Sequence, residues 1–208
     1  MEKKSLSRTK VKRKNDIVDA AYAMFLENGI SVTSMNDVAV KCGITRRTIY
    51  NYFESKTDLL FYLTKQKTDE INPDFVMDYD KNLNGLENVR LLLRKNFASY
   101  YKHLLTFLFI TQVRIHLSYT TGAKLQDPSS SSMHNVFIGE FAQLIEIGRE
   151  DGSIASHELD IKEHANTIYQ LLYGYLTSIS LGIDVDKKVY NKEMYNFETL
   201  IIESLRSK

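Results

Sequence analysis

The chain has 208 residues, 43% hydrophobic and 25% charged, with a formal net charge of +1; these are proportions of a soluble globular protein, with length enough for a small domain joined to a larger one. No run nears the roughly 18 consecutive apolar residues of a membrane span, and the opening MEKKSLSRTKVKRKN is basic without the apolar core of a secretory signal, which implies a cytoplasmic protein. The single cysteine, Cys42, excludes an internal disulfide framework and a cysteine-based zinc cluster, and two prolines and nine glycines between long apolar-periodic stretches imply an all-α fold.

The small net charge conceals an asymmetry: residues 1–66 carry 12 Lys/Arg against 7 Asp/Glu, and the remaining 142 carry 15 against 19. Opposite signs imply two jobs, the basic part facing a polyanion, although lysines also populate any solvated face. Residues 1–14 read as a basic N-terminal arm, either a disordered phosphate-binding segment or a solubilising end. NDIVDAAYAMFLENG then predicts a helix with Ile17, Val18, Ala21, Phe25 and Leu26 on one buried stripe. Asn28-Gly29 ends it, because Gly accepts the left-handed conformation just past a last turn. In VTSMNDVAVKCG, Thr33 or Ser34 caps a second helix and Asn36 or Asp37 comes close to completing a capping box. Val38, Ala39 and Cys42 supply its inner face, and Gly43 breaks it after about two and a half turns.

A helix that short needs neighbours. Thr45 caps the next, predicted over Arg46–Phe53, and two short helices around a tight Gly-containing turn describe a helix-turn-helix, whose second helix fits the DNA major groove. At about 100° per residue, Ile49 and Phe53 fall together with Tyr52 beside them, while Arg47, Tyr50 and Asn51 point largely the other way. That outer face holds a bidentate guanine reader, an amide suited to adenine, and a ring able to touch a thymine methyl or a phosphate. Arg46 lies near the edge of both faces; a solvated surface with incidental arginines is the alternative reading. Ser55 then caps a third helix, SKTDLLFYLTKQ, whose free amides together with Lys56 favour a DNA phosphate. Thr33 and Ser34 offer the same at the earlier helix start.

From Ile17 to Leu60 the chain resembles the tetracycline-repressor-like (TetR) family of transcriptional regulators. The elements that carry the resemblance are Phe25 and Gly29, the Thr33-Ser34 pair, Val38-Ala39, the turn Cys42-Gly43-Ile44-Thr45, and Tyr50, Tyr52-Phe53, Lys56 and Leu59 at the family's spacings. By matched position, the resemblance implies that Thr45, Arg46, Arg47 and Thr48 approach base edges and adjacent phosphates. It likewise implies that Tyr50 and Tyr52 make groove and phosphate contacts and that Lys56 clamps a phosphate. Two departures stand out. Cys42 replaces a small alanine, which reads as packing, since free Cys behaves as a buried hydrophobe. Arg47 stands where many members have glycine, so operator sequence does not transfer from a relative.

Asn72-Pro73 and DYDKNLNG mark a loop or boundary, so the domains are set at 15–66, a three-helix DNA-binding domain, and 67–208. Five further helices are predicted at Leu86–His103, Leu104–Tyr119, about Ser131–Glu150, Glu158–Leu181 and about Lys188–Arg206. The resemblance implies that this part is the helical effector and dimerisation domain. The last two helices carry apolar stripes (Ile161, Ala165, Ile168, Leu172, Leu176, Ile179; Phe197, Leu200, Ile201, Leu205) that suit a monomer core or a four-helix interface in a homodimer. Dimerisation is favoured because a helix-turn-helix needs two half-sites about 34–36 Å apart, and Gly174 and Gly182 permit close helix approach. TFLFITQVRIHLSY places Arg114 and His116 in an apolar helix. Tyr100, Tyr101, Phe107, Phe137, Phe141, Tyr169 and Tyr173 could line a small-molecule pocket with them, where a buried arginine favours an anionic effector; plain core with Arg114 in an internal ion pair is the alternative.

No enzyme signature is present: the five histidines lack H-E-x-x-H spacing, and there is no G-x-S-x-G or Gly-rich phosphate loop. Neither a metal nor a cofactor is expected. The reading is a dimeric, ligand-responsive DNA-binding regulator, most simply a repressor on a pseudo-palindromic double-stranded operator. The alternatives are a regulator or activator whose C-terminal domain binds a protein partner, and a nonspecific architectural DNA binder.

Overall fold

The computed structural model describes residues 2–76, 79–121, 128–155, 160–180 and 186–206. Among these, the elements are helices α1 (Glu2–Asn28), α2 (Met35–Lys41), α3 (Arg46–Tyr50), α4 (Lys56–Ile71), α5 (Gly85–Lys102), α6 (Leu104–Thr121), α7 (Pro128–Glu150), α8 (Ile161–Ser180) and α9 (Lys187–Leu205), with a 3-10 turn at Asn72–Phe75. The described residues hold no strand beyond an isolated bridge between Ile154 and Arg206, and no helix among them is long and apolar enough to cross a membrane.

The chain forms two compact units: Met1–Lys67 with Phe109–Gln126, and Thr68–Leu108 with Asp127–Lys208. The split at 66/67 expected from sequence treats each part as continuous, whereas α6 divides between them. The reason lies in its side chains. Phe109, Ile110, Val113 and Leu117 are buried in one core with Ile17, Phe25, Val38, Ile49, Phe53 and Leu63. Phe109 is fully buried, meeting Tyr22 edge-on at 5.0 Å and stacking on Phe25 at 6.3 Å.

In this first unit, α1 starts at Glu2 and not at Asn15, so the basic segment is continuous with the helix. Gly29 (φ +88°) and Gly43 (φ +63°) take the left-handed conformation that ends α1 and turns α2 into α3. The capping box forms between Ser34 and Asp37, each side chain accepting from the other's backbone amide. Helix α3 stops at Tyr50 rather than Phe53, with Asn51 and Tyr52 in a turn.

The second unit is a set of longer helices around one core drawn from α5, α7, α8 and α9. Helix α5 begins against the end of α7. A Cβ on Gly85 would lie 2.3 Å from the backbone of Gly148, so only glycine fits. Asn84 caps α5 through the Glu87 amide, Asp151 Oδ2 accepts from the Gly85 amide at 2.7 Å, and Ser153 Oγ accepts from Leu86 at 3.1 Å. Burial would raise the Asp151 carboxyl, but the hydrogen bonds from Ser153 and the Gly85 and Ser153 amides hold it below the usual range. Buried Asn88 stitches the preceding loop, bonding the Asp80 amide and the carbonyls of Asp80, Leu83 and Asn84. Buried Glu198 of α9 accepts from Arg90 (2.6 Å) and, through both oxygens, from Arg94 (2.7 and 2.9 Å), tying α9 to α5.

The apolar stripes of α8 and α9 read as an interface are mainly this unit's own core: Ala165, Ile168, Leu172, Leu176, Phe197, Ile201 and Leu205 are all buried within the chain. A single subunit has to cover these positions to close its own fold. What remains outside is Leu200 of the α9 stripe (65% exposed), together with Leu171 (53%) and Tyr195 (63%), which the stripes did not include. Gly174 is exposed with open space at its Cβ position; Gly182 lies outside the described residues.

Candidate functional site

Helix α3 is five residues long and is held from below. Ile49 is fully buried and Phe53 nearly so, with Phe53 edge-on to Tyr62 at 5.5 Å. Thr45 Oγ1 accepts from the Thr48 amide at 3.2 Å and lies 2.8 Å from the Thr48 hydroxyl, fixing the helix start. With that anchor, Thr45, Arg46, Arg47, Tyr50 and Asn51 are exposed on one continuous surface, with Thr48 and Tyr52 half-buried at its margin. The Arg46 guanidinium lies 5.8 Å from the centre of the Tyr50 ring, one turn on. The cation is thereby steered across the helix surface instead of wandering in solvent. Two guanidinium groups, an amide and a phenol on one convex face can meet base edges and phosphates together.

The flanking residues divide. Ser34 is exposed, but its amide and hydroxyl both donate to Asp37 Oδ2 (2.8 and 2.6 Å). These bonds hold the Asp37 carboxyl below the usual carboxylate range, so an anion is already seated at the start of α2. Thr33 is 3% exposed, its hydroxyl donating to the carbonyls of Gly29 (3.0 Å) and Met24 (3.4 Å). It shapes the turn between α1 and α2 with its side chain turned inward, where a phosphate contact was expected from sequence. Lys56 is half-buried; its ammonium donates to the Ile30 carbonyl and lies 5.9 Å from the Phe25 ring. Burial pushes its pKa down, with the Asp37 charge opposing. Cys42 packs its sulfur 3.8 Å from the Asp16 carbonyl of α1, and burial pushes the thiol up, the behaviour of a packing residue.

The residues expected around a pocket are only partly brought together. Tyr100, Phe137, Tyr169 and Tyr173 line one cavity with Phe75, Asn96, Val136, Leu172 and Leu176. No charged side chain is among these. The cavity measures about 30 Å3, room for a single water. Phe107 and Phe141 are buried in the core beside it; Phe107 stacks on Tyr100 at 4.2 Å and Phe141 on Phe137 at 5.5 Å. Arg114 and His116 do not line it, because the part of α6 beyond Leu108 belongs to the first unit. There His116 Nδ1 faces the Ser31 hydroxyl at 3.4 Å, and burial, then the nearby Lys56 charge, lower its pKa. The expectation of an anionic effector therefore loses its cation. Sequence reasoning also missed Phe75 and Asn96. The one available signal for Phe75 was its place just after Asn72-Pro73, where a turn can aim an aromatic ring inward.

Residues 17–63 match the sequence model of the bacterial regulatory proteins of the tetR family. The fatty acid metabolism regulator protein of Bacillus subtilis is 30% identical over 82 residues, 39% of this chain and 42% of that protein. The transcriptional repressor KstR2 of Mycobacterium tuberculosis is 28% identical over 91 residues, 44% and 46% of the two chains. The chain thus aligns with less than half the length of these curated relatives. Among solved structures, the ketosteroid regulator KstR2 of M. tuberculosis superposes with a TM-score of 0.59 at 18% identity, covering 94% of this chain and 96% of that one. The fatty acid degradation regulator FadR of Bacillus halodurans does so with a TM-score of 0.62 at 20% identity, covering 94% and 97%. At these identities the likeness is one of fold.

Proposed function

We propose that the chain, whose residues 17–63 match the tetR family of bacterial regulatory proteins, is a sequence-specific DNA-binding transcriptional regulator, acting as a homodimeric repressor that an uncharged, largely apolar effector releases from its operator. The observation that carries the DNA-binding reading is the exposed α3 face, with Arg46, Arg47, Tyr50 and Asn51 outward over buried Ile49. Arg47 is the residue with the reach and geometry for a guanine edge. Competition between a duplex selected from a random pool and random-sequence DNA, at fixed salt, tests the reading. Wild type should prefer the selected duplex by about a thousandfold or more. Arg47→Ala should lose about 1–3 kcal/mol and relax preference at one base position; equal binding to both DNAs by wild type would defeat the reading.

Dimerisation is supported by the apolar side chains that α8 and α9 leave outside, Leu171 (with exposed Gly174 one turn on) in α8 and Tyr195 and Leu200 in α9. An effector is supported by the cavity's aromatic walls and lack of charge. Release would be a population shift, the effector binding more tightly to the conformer that fits DNA poorly. The tight fill of that cavity favours a second reading in which this unit docks a protein partner instead. Calorimetric titration with uncharged apolar compounds separates the two: the first requires saturable binding that Tyr173→Ala weakens and that lowers operator affinity.

A further inference from the structure

Upstream of Ile17, α1 has no hydrophobic reason to be a helix. Residues 2–14 hold seven Lys/Arg against one Glu, and from Lys10 onward, where side chains are described, none before Ile17 is buried. Lys10, Lys12 and Arg13 are exposed. Electrostatics are adverse as well. Lys10 and Lys14 are a like-charged pair at i,i+4, and the sequence crowds cations toward the end of the helix that is already positive. An anionic surface removes both penalties at once.

The placement indicates which surface. The Lys14 ammonium lies over the rings of Tyr62 (3.6 Å) and Phe53 (5.1 Å), just past α3. Two residues on, the Asp16 carbonyl lies 3.8 Å from the Cys42 sulfur in the turn between α2 and α3. The cationic segment is therefore pinned at its C-terminal end beside the α2–α3 turn that leads into the reading helix. At about 1.5 Å per residue it extends roughly 20 Å, the span of about six phosphates along one DNA strand. A lipid surface fits less well, because only Leu6 and Val11 within residues 2–14 are large and apolar, and they form no stripe.

We propose that residues 2–14 form a helical cationic arm that lies along the phosphate backbone of DNA flanking each operator half-site, adding affinity without adding sequence preference. This rests on the DNA-binding reading above. The test compares full-length wild type with a variant in which Lys3, Lys4, Arg8, Lys10, Lys12 and Arg13 are all changed to Gln. Lys14 is kept because it packs on the rings. Circular dichroism and a melting curve check that both fold alike. Binding is measured against salt, on the selected duplex with long flanks, on the same duplex trimmed to its half-sites, and on random DNA. The arm predicts that the variant loses about tenfold or more on both long DNAs, leaving the selected-to-random ratio unchanged. It also predicts a log-affinity slope against log salt shallower by about 3–4, and that trimming the flanks brings wild type down to the variant. Equal affinity and slope for the two proteins on flanked DNA overturn the arm while leaving the α3 reading intact. So does a variant that loses only adhesion to anionic phospholipid vesicles. Absence of any wild-type preference for selected DNA overturns the α3 reading itself, a distinguishable failure.

Discussion

In the first unit a helix of five residues holds its place because Thr45 caps it, Gly43 turns into it and fully buried Ile49 pins it from below. In the second, α5 holds its place because Gly85 lets it approach the backbone of Gly148 and Glu198 ties it to α9. The first kind of device is local: cap, turn and buried residue lie within a few positions of one another. The second is spread over contacts between residues some 60 to 110 positions apart. Short helices need explicit local instructions because they cannot stand alone. Long helices can be specified by packing, which leaves little local signature. The longest-range device described in the first unit is the stretch of α6 that completes its core.

That exception gives the sharpest way to break the contrast. Phe109→Ala removes a fully buried ring that contacts Tyr22 and Phe25, and should cost about 3–5 kcal/mol in urea unfolding, with operator binding lost as the first unit melts. If unfolding and DNA affinity both barely moved, α6 would not be part of that core. Next in size is Gly85→Ala, which drives a Cβ to 2.3 Å from backbone that cannot yield without moving α5 or α7. About 2–3 kcal/mol of lost stability is expected. Gly174→Ala, with open space around it in the single subunit, is the contrasting case: alike effects at the two glycines would deny the close approach. Glu198→Gln follows, at about 2 kcal/mol in chemical denaturation. It leaves Arg90 (20% exposed) with only exposed Glu87, 3.4 Å away, as counter-charge, while Arg94 (55% exposed) can turn to water. An unchanged midpoint would show that α9 is held by apolar contacts alone.

The legibility of the sequence follows the same division. Ser34, Thr45, Gly29, Gly43, Ile49 and Phe53 take the structural roles read for them, because each role depends on residues within one or two turns. The ends of elements were less legible. The wheel ran α3 on to Phe53, but the backbone turns after Tyr50, and Thr33, with Ser34 beside it as an equally good cap, went inward. In the second unit the positions of the helices were legible from their period, but their partners were not. An apolar stripe on α8 has the same pattern whether it faces α7 or a second subunit. Arg114 was set against aromatic rings because they share an apolar context in sequence, and nothing local announces that α6 changes cores near Phe109. The pairing of Glu198 with Arg90 and Arg94 had no signal at all, since a lone Glu in an amphipathic helix reads as solvated.

The smallest expected effect concerns how the second unit seats a wall of its cavity. Phe75, which lines the cavity and meets Phe107 edge-on at 5.6 Å, is carried by the turn Asn72–Phe75. That turn is tied to α5 by Ser99, which donates to the Asp74 carbonyl at 2.7 Å, and by the Asp74 carboxylate, which accepts from Lys102 (2.7 Å) and His103 (2.5 Å). The Lys102 bond, then the His103 bond, hold the Asp74 carboxyl down at about 2. A carboxyl with a depressed native pKa stabilises the folded state fully above its ordinary value near 3.8, and that contribution fades as pH falls through about 2. Wild type should therefore exceed Asp74→Asn by a small margin at neutral pH, small because exposed pairs are weak. The urea midpoints of the two proteins should converge between about pH 4 and pH 2. Because Asn keeps most of the shape while removing the charge, the convergence isolates the carboxylate from the Ser99 bond to the backbone. Midpoints that stay parallel through that range would mean the ion pair does not help seat Phe75, and that the turn is held by the Ser99 bond and the packing of the ring.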